Sequence, residues 1–565
     1  MAFLVSPGVE IKEIDATNVI PAVSSSIGGF AGSFNWGPTE EIVQVGSENE
    51  LVEKFGSPDA NTAKYFLTAA SFLKYGNALK VVRVSSGHLN ATADGSGQLV
   101  KNEEDYDNNY SNGSLSKGNW VAKYPGVLGN SLKVSMVTAG ISTSNYNAWA
   151  FKGQFDAKPG TSSFATDLGK TSAADELHVC VIDEDGAITG TPNTVLERFA
   201  FVSQGSDAKK DDGTSNFYKE VINQTSEYIW WADHDSSLTD AGETIASQSG
   251  AMTTNTAVID SSLAGGTDDN APTVGEIALG YDKFEDAETV DVNLLFAYPD
   301  ANGANTIAND LISIATARKD CMAFVSPPLE DTVGAAAPAT DVIAFADTLT
   351  SSSYASCDSG ALYVYDKYND VYRYIGGAGH VAGLCANADR VADAWFSPAG
   401  VNRGQLLGVT KLAFNPTKAD RDSLYKARVN PIVSMPGQGT ILFGDKTLLN
   451  RPSAFDRINV RRLFIVLEKA ISTAAKAQLF EFNDEFTRAQ FKNLVEPFLR
   501  DVKGRRGITD SLVICDETNN TSQVIDSNRF VADIFVKPNR SINFITLSFI
   551  ATRSGVEFSE ISGQV

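Results

Sequence analysis

Residues that usually carry chemistry are scarce in this chain, and they lie apart. Its 565 residues include five cysteines, Cys180, Cys321, Cys357, Cys385 and Cys515, never closer than 28 positions. That spacing excludes CxxC-type zinc and thioredoxin motifs, and an odd, scattered set suits a reducing compartment. The four histidines, His88, His178, His234 and His380, are far apart, and there is no GxSxG elbow and no HExxH pair. No base is therefore paired in sequence with a nucleophile, and each histidine reads as a surface or satisfied core residue. Apolar runs fall short of the ~18–20 residues of a membrane span. Met1 to Gly8 has neither a basic nor a long apolar region of the secretory type, so the expectation is a soluble protein made in the cytoplasm.

Two near-motifs fail on spacing. Asp183-Glu184-Asp185-Gly186 lacks the alternation and distal Glu of a calcium loop and reads as a turn. Gly439 to Thr447 resembles a P-loop, but Asp445 stands where the lysine must follow glycine, and Ile441, Leu442 and Phe443 read as strand. The cluster Gly376-Gly377-Ala378-Gly379 reads as a loop. No catalytic residue, cofactor or metal ligand set is expected, and the chain reads as a non-enzyme.

What the chain does have is apolar mass and an uneven charge. Hydrophobic residues make up 43% and aromatics 10%, enough for several cores in about three to five domains. The net charge of −23 excludes general coating of nucleic acid, which needs a cationic surface. Residues 91–290 carry −18 of it, whereas 415–565 carry +4. Two basic clusters stand out within that last quarter. Arg451, Arg457, Arg461, Arg462 and Lys469 form one; Arg488, Lys492, Arg500, Lys503, Arg505 and Arg506 form the other. Their aromatics fall on apolar stripes rather than between the charges, so an acidic protein partner fits better than nucleic acid.

Periodicity divides the chain into α/β and α+β units. Residues 1–23 read as an extended N-terminal arm, with Val9, Ile11 and Ile14 among charged neighbours. Residues 24–90 and 290–414 alternate strands and helices, predicting a middle α/β domain with a mostly parallel sheet. Between them, 91–289 is acidic and β-rich, an inserted domain whose start, 92–118, reads as loop. Residues 415–545 form a C-terminal α+β domain with long helices over Val460–Leu479 and Phe486–Val502, the second N-capped by Asn483, kinked at Pro497 and stopped by Gly504. A strand over Ile542–Ile550 opens the segment 546–565, a C-terminal arm holding Phe558 and Ile561. Other predicted elements include strands Val290–Tyr298 and Leu362–Tyr365 and a helix over Ala388–Trp395.

The C-terminal quarter resembles the tail sheath proteins of contractile-tailed bacteriophages. The carrying stretches are ARVNPIVSMPGQGTILFGDKT (427–447), RPSAFDRINVRRLFIVLEKAI (451–471), FEFNDEFTRAQFKNLVEPFLRDVKGRRGI (480–508), VICDETNN (513–520) and VADIFVKPNRSINFITLSFIATRSG (531–555). SPGVEIKEID (6–15), GGFAGSFNWGP (28–38), AKYPGVLGNSLKV (122–134) and ATARKDCMAFVSPP (315–328) agree. The resemblance implies a homo-oligomer of six-fold rings stacked helically around a tail tube. It implies baseplate and tail terminator partners, no nucleic acid, no membrane insertion, and contraction from a metastable state. It also implies arms that pair with neighbours' sheets through Val9, Ile11, Ile14, Phe558 and Ile561, an inner C-terminal domain facing the tube, and tube-facing charges among the second basic cluster. The alternatives are the sheath of a bacterial contractile injection system, an α/β enzyme using the crevice of its sheet, and a cell-surface or capsid-decoration protein.

Overall fold

The computed structural model describes residues 23–543, Ser86 and Asn302 apart. They fall into two compact units, one running to Ala477 and one beginning at Gln478. The first is built on a seven-stranded sheet. Its strands are β1 (Gly28–Gly32), β2 (Ile42–Val45), β3 (Leu79–Arg83), β4 (Leu294–Phe296), β5 (Met322–Val325), β6 (Ala355–Asp358) and β7 (Val429–Asn430). The order is β7-β6-β5-β4-β1-β3-β2, parallel throughout except for the edge strand β2. Helices α1 (Ala63–Leu73), α2 (Val274–Asp282), α3 (Ala304–Arg318) and α4 (Ala378–Val391) bury apolar residues in the same core as the sheet. A parallel sheet needs such cover, and its strands are accordingly apolar on both faces. Phe72 of α1 stacks on Phe296 of β4 with centroids 5.4 Å apart.

The glycine cluster at 376–379 is used for contact rather than for flexibility. Only Gly376 and Gly377 precede the helix; α4 starts at Ala378. A Cβ on Gly379 would lie 2.3 Å from Ser71 Oγ and 2.5 Å from Thr68 O of α1, so the glycine lets two helices touch. The helix expected over Ala388–Trp395 is therefore the tail of a longer one that ends at Val391.

The inserted region holds an antiparallel sheet in the order Thr194–Ser203, Glu176–Asp183, Leu132–Thr138, Ile259–Ser262. Its alternating residues, among them Val134, Met136, Leu177 and Val179, make a separate core with Trp120 and Trp231. The chain enters and leaves along itself, with bridges Leu89 to Thr267 and Thr92 to Ala264. The insertion thus closes earlier than residue 289. α2 belongs to the main core, where Ile277 and Tyr281 are buried and the Tyr281 hydroxyl donates to Phe296 O at 2.7 Å. The stretch 92–118, read as loop, contains a helix at Glu103–Asn109. Asn102 caps it by accepting from Asp105 N, and three acidic residues fill its first turn.

The division expected at residue 415 also moves. β7 pairs with β6, and helix α5 (Ile458–Ala475) buries Ile458, Val460, Leu463, Ile465 and Leu467 in the first unit. An edge strand and a helix whose first half is buried on nearly every side cannot leave that core without exposing it. The second unit is α6 (Glu485–Gly504) with the antiparallel pair β8 (Ile508–Ile514) and β9 (Asp533–Pro538). α6 runs unbroken through Pro497. Its cap is Asp484, which accepts from Thr487 N at 2.8 Å, while Asn483 turns to Arg529 O and Arg488. The left-handed residue beyond its end is Arg506, at φ +66°, rather than Gly504. The strand expected at Val290–Tyr298 forms only at Leu294–Phe296, and that expected at Ile542–Ile550 runs out of the described residues.

Candidate assembly surfaces

In the second unit, α6 lays Phe491, Val495, Leu499 and Val502 inward, and Ile508 and Val513 of β8 are buried with them. The opposite face of the sheet is left open. Leu512 lies directly across from Phe535, and the two are 56% and 57% exposed. Among the described residues this sheet has two strands, and neither outer edge has a further described strand paired to it. Such edges are templates for a further strand.

The second basic cluster does not act as one surface. Arg488 is buried, its guanidinium donating to Asn483 Oδ1 at 3.0 Å, so it braces the start of α6. That corrects its reading as a tube-facing charge. Its place three residues before Phe491 and seven before Val495 sets it on the apolar stripe. Lys492 pairs with Glu496 at 3.7 Å, Lys503 with Asp510 at 3.3 Å and Arg505 with Asp501 at 3.5 Å. Arg500 and Arg506 are exposed. Lys492, Glu496 and Arg500 follow one another at four-residue steps along a half-exposed flank. The arm residues Val9, Ile11, Ile14, Phe558 and Ile561 lie outside the described residues.

In the first basic cluster Arg451 is exposed, and the other four residues turn inward. Arg457 reaches Asp445 at 3.7 Å. Arg461 lies between the rings of Tyr354 and Phe455, 4.2 and 4.0 Å from their centroids. Arg462 donates to Asp389 at 2.7 Å, to Ser25 O at 3.0 Å and to Cys385 O at 3.1 Å. Lys469 pairs with Asp291. Ser25 Oγ also donates to Asp389, so these cations tie α5 both to α4 and to the chain entering β1. Sequence reading missed the carboxylates at 389 and 291 because they stand 73 and 178 positions from their partners.

A doubly wound sheet offers its ligand crevice at the carboxyl ends of the strands. Here that region is filled by the chain itself at β5 and β6. Ser326 Oγ accepts from Ala378 N, the first residue of α4, at 2.8 Å and donates to Asp358 Oδ2 at 2.5 Å. Asp358 Oδ1 accepts from Gly360 N at 2.9 Å. Burial pushes the Asp358 carboxyl up to about 7, with the bonds from Ser326 and Gly360 opposing that rise. A Cβ on Gly377 would meet this carboxylate at 2.8 Å. The anion-seeking end of α4 is thus occupied by a hydroxyl and a carboxyl of the same fold.

The histidines are separately engaged, by Ser85, Ala157, Tyr218 and Tyr75 in chain order. Asp183 accepts from the amides of Ile188 and Thr189 and closes a turn. Among the described residues no helix is long and apolar enough to cross a membrane.

Three family descriptions match this chain. The phage tail sheath protein central domain covers 270–448, the tail sheath C-terminal domain 450–552, and the N-terminal region of tail sheath Gp18 domain III covers 26–84. The tail sheath protein of Enterobacteria phage T4 is 32% identical over 99% of this chain and 99% of its own. The chain belongs to the phage tail sheath proteins. The tail sheath protein of Vibrio phage KVP40 is 34% identical over 99% of this chain and 100% of its own. The fold is that of a sheath tail protein from Listeria innocua, at TM-score 0.54 and 13% identity over 92% and 96% of the two chains. The PVC sheath complex of an extracellular contractile injection system, in its contracted state, shares it at TM-score 0.50 and 13% identity over 98% and 99%. Within this sheath protein the matched family domains are 26–84 and 270–552, and the stretch between them contains the inserted sheet.

Proposed function

We propose that the protein is the structural, non-enzymatic subunit of a contractile phage tail sheath. It polymerises as stacked six-fold rings around the tail tube and meets the baseplate and tail terminator at its ends. It is assembled in the host cytoplasm and incorporated in the virion tail. Contraction from a metastable extended packing drives the tube through the host envelope, with free energy stored in the first of two packings. The observation that carries this reading is kinship to tail sheath proteins over 99% of the chain. Negative-stain electron microscopy of the concentrated protein tests it. Hollow tubes of uniform diameter are expected, and a small closed oligomer would overturn it.

The inserted domain faces outward, and the second unit faces the tube. The arms containing Val9, Ile11, Ile14, Phe558 and Ile561 add strands to neighbours' sheets. The open edges of β8 and β9 support that role, since strand addition supplies backbone hydrogen bonds that survive rigid-body shifts. Among the basic residues, Lys492 and Arg500 are the tube-facing pair. Reversing both charges is expected to weaken tube docking about tenfold at low salt and much less at 1 M salt. Co-sedimentation with tail tubes reads this out, and unchanged docking would remove the pair from the contact.

The sheath of a bacterial injection system is the second reading, favoured by the shared fold of the PVC sheath complex. Capsid and terminase genes beside this one would decide for a phage.

A further inference from the structure

The side chains that give up a single electron most readily are thiolates, indoles and phenols. All five cysteines and all six tryptophans of this chain are buried. Of its 17 tyrosines, all within the described residues, two are exposed: Tyr365 at 47% and Tyr372 at 50%. Those two stand directly opposite each other. They belong to the antiparallel strands Leu362–Asp366 and Val371–Ile375, whose register pairs Tyr365 with Tyr372 and Tyr363 with Tyr374. Leu362, Val364 and Ile375 join the main core, so the four tyrosines share the outer face.

Charged neighbours set Tyr365 and Tyr372 apart from the pair beside them. Asp370 lies in the loop between the strands, in the left-handed region at φ +51°, which aspartate tolerates. Buried Asp366 holds that loop by accepting from Tyr368 N, Asn369 N and Arg373 Nε at 3.1, 3.2 and 2.9 Å. The Tyr365 hydroxyl donates to Asp370 Oδ1 at 2.6 Å. A carboxylate is therefore in place for the proton that a phenol sheds when it loses an electron. On the other side Lys411 Nζ lies 4.5 Å from the Tyr363 ring centroid and 5.9 Å from that of Tyr374. A cation at that range opposes electron loss from those rings. The same holds for Tyr65 with Tyr298, where Tyr65 is buried and Lys64 Nζ lies 5.0 and 5.4 Å from the two rings.

We propose that Tyr365 and Tyr372 form a site of oxidative coupling, at which a peroxide-driven one-electron oxidant joins the two rings as dityrosine. Each phenol gives up one electron and one proton, Tyr365 passing its proton to Asp370. The two radicals combine through a carbon–carbon bond between positions ortho to the hydroxyls. The hydrogens on those carbons move to the oxygens as the rings regain aromaticity. One hydrogen peroxide takes up the two electrons and two protons and leaves as two waters. The ring centroids lie 5.1 Å apart at 49°. Exposed rings turn quickly about their side-chain torsions, which brings the ortho carbons together without moving the paired backbone. Tyr363 also stacks on Tyr372, at 5.3 Å, but it bears the Lys411 cation and lacks the carboxylate. The bond closes a short loop within one hairpin, so the proposal does not rest on the sheath reading.

The test treats the full chain with hydrogen peroxide and a haem peroxidase and follows dityrosine fluorescence and mass. The single chain is expected to lose the mass of two hydrogen atoms. Tryptic cleavage after Lys367 and Arg373 puts Tyr365, Tyr372 and Tyr374 on three separate peptides, and the link should join the first two. Fragmentation of the linked pair tells Tyr365 from Tyr363. Tyr365→Phe keeps the ring, should leave the circular-dichroism spectrum unchanged and should lower the yield at least tenfold, whereas Tyr374→Phe should leave the yield as it is. Asp370→Asn should give the same link about tenfold more slowly. A dominant link through Tyr363 or Tyr374, links only between two chains, or no dityrosine where free tyrosine couples under the same conditions would overturn the proposal. An unchanged rate in Asp370→Asn would overturn the assignment of Asp370 as the acceptor of the proton, and with it the reason that Tyr365 is selected.

Discussion

Replacing Arg462 with alanine will cost about 3–5 kcal/mol of stability, measured by chemical denaturation of the first unit's transition. The guanidinium and its partner carboxylate are 4% and 10% exposed as side chains. Arg462 supplies one short charge-assisted bond to Asp389 and further bonds to the carbonyls of Ser25 and Cys385. Without it the Asp389 carboxylate stays largely buried with the Ser25 hydroxyl as its remaining side-chain donor. Its Oδ1 already lacks a hydrogen-bond partner among the described residues, and a neutral hydroxyl on Oδ2 does not balance the charge. The cost is therefore dominated by the stranded anion, not by the bond that is lost. Asp389→Asn keeps an acceptor for Ser25 and Arg462 and removes the charge, so it should cost clearly less than the arginine deletion. The half-exposed Lys492–Glu496 pair supplies the contrast, since breaking it should fall within experimental error. A loss below about 1 kcal/mol for Arg462→Ala would mean that water reaches the pair and that α5 is not held by it.

Much of this architecture was legible because periodicity and burial coincide. Apolar runs of strand length alternating with helices foretold the parallel sheet, and short polar-broken strands foretold the inserted antiparallel one. The stripe Phe491, Val495, Leu499 and Val502 foretold α6. What escaped reading was direction of charge. The arginines of α5 look like a basic face only until the first half of the helix is seen to be buried nearly all round, with residues 458 to 463, 465 and 467 all buried. A cation on such a helix must point inward, and its partner is fixed by tertiary pairing that local sequence does not encode. Arg488 misled for the same reason, although its spacing to Phe491 and Val495 was available. Domain borders escaped because they depend on which core an element joins: β7 and α5 go to the sheet, and α2 returns to it before residue 289. Tyr365 and Tyr372 escaped because an exposed aromatic in sequence looks the same as a buried one.

The second large effect concerns Asp358 and runs with pH. In the unfolded chain this carboxyl titrates near 3.8, whereas in the fold burial lifts it to about 7. The folded state therefore keeps a proton that the unfolded chain gives up between those two values. The resulting stabilisation is complete below about pH 4 and is lost as pH rises through 7, where the fold must hold a buried anion. At 1.36 kcal/mol per pH unit, that window is worth on the order of 4 kcal/mol. Asp358→Asn removes the titration while keeping an oxygen for Gly360 N. Its amide must then use Ser326 Oγ as an acceptor, which already receives Ala378 N, so the variant carries a fixed offset of its own. The informative quantity is thus the change in the gap between the two proteins. Urea denaturation at pH 5 and at pH 7.5 should show that gap moving toward the variant by about 2–3 kcal/mol. A gap that stays constant would mean that Asp358 is already ionised in the fold at pH 5. The polar cluster of Ser326, Asp358 and the start of α4 would then be a charged helix cap rather than a protonated plug.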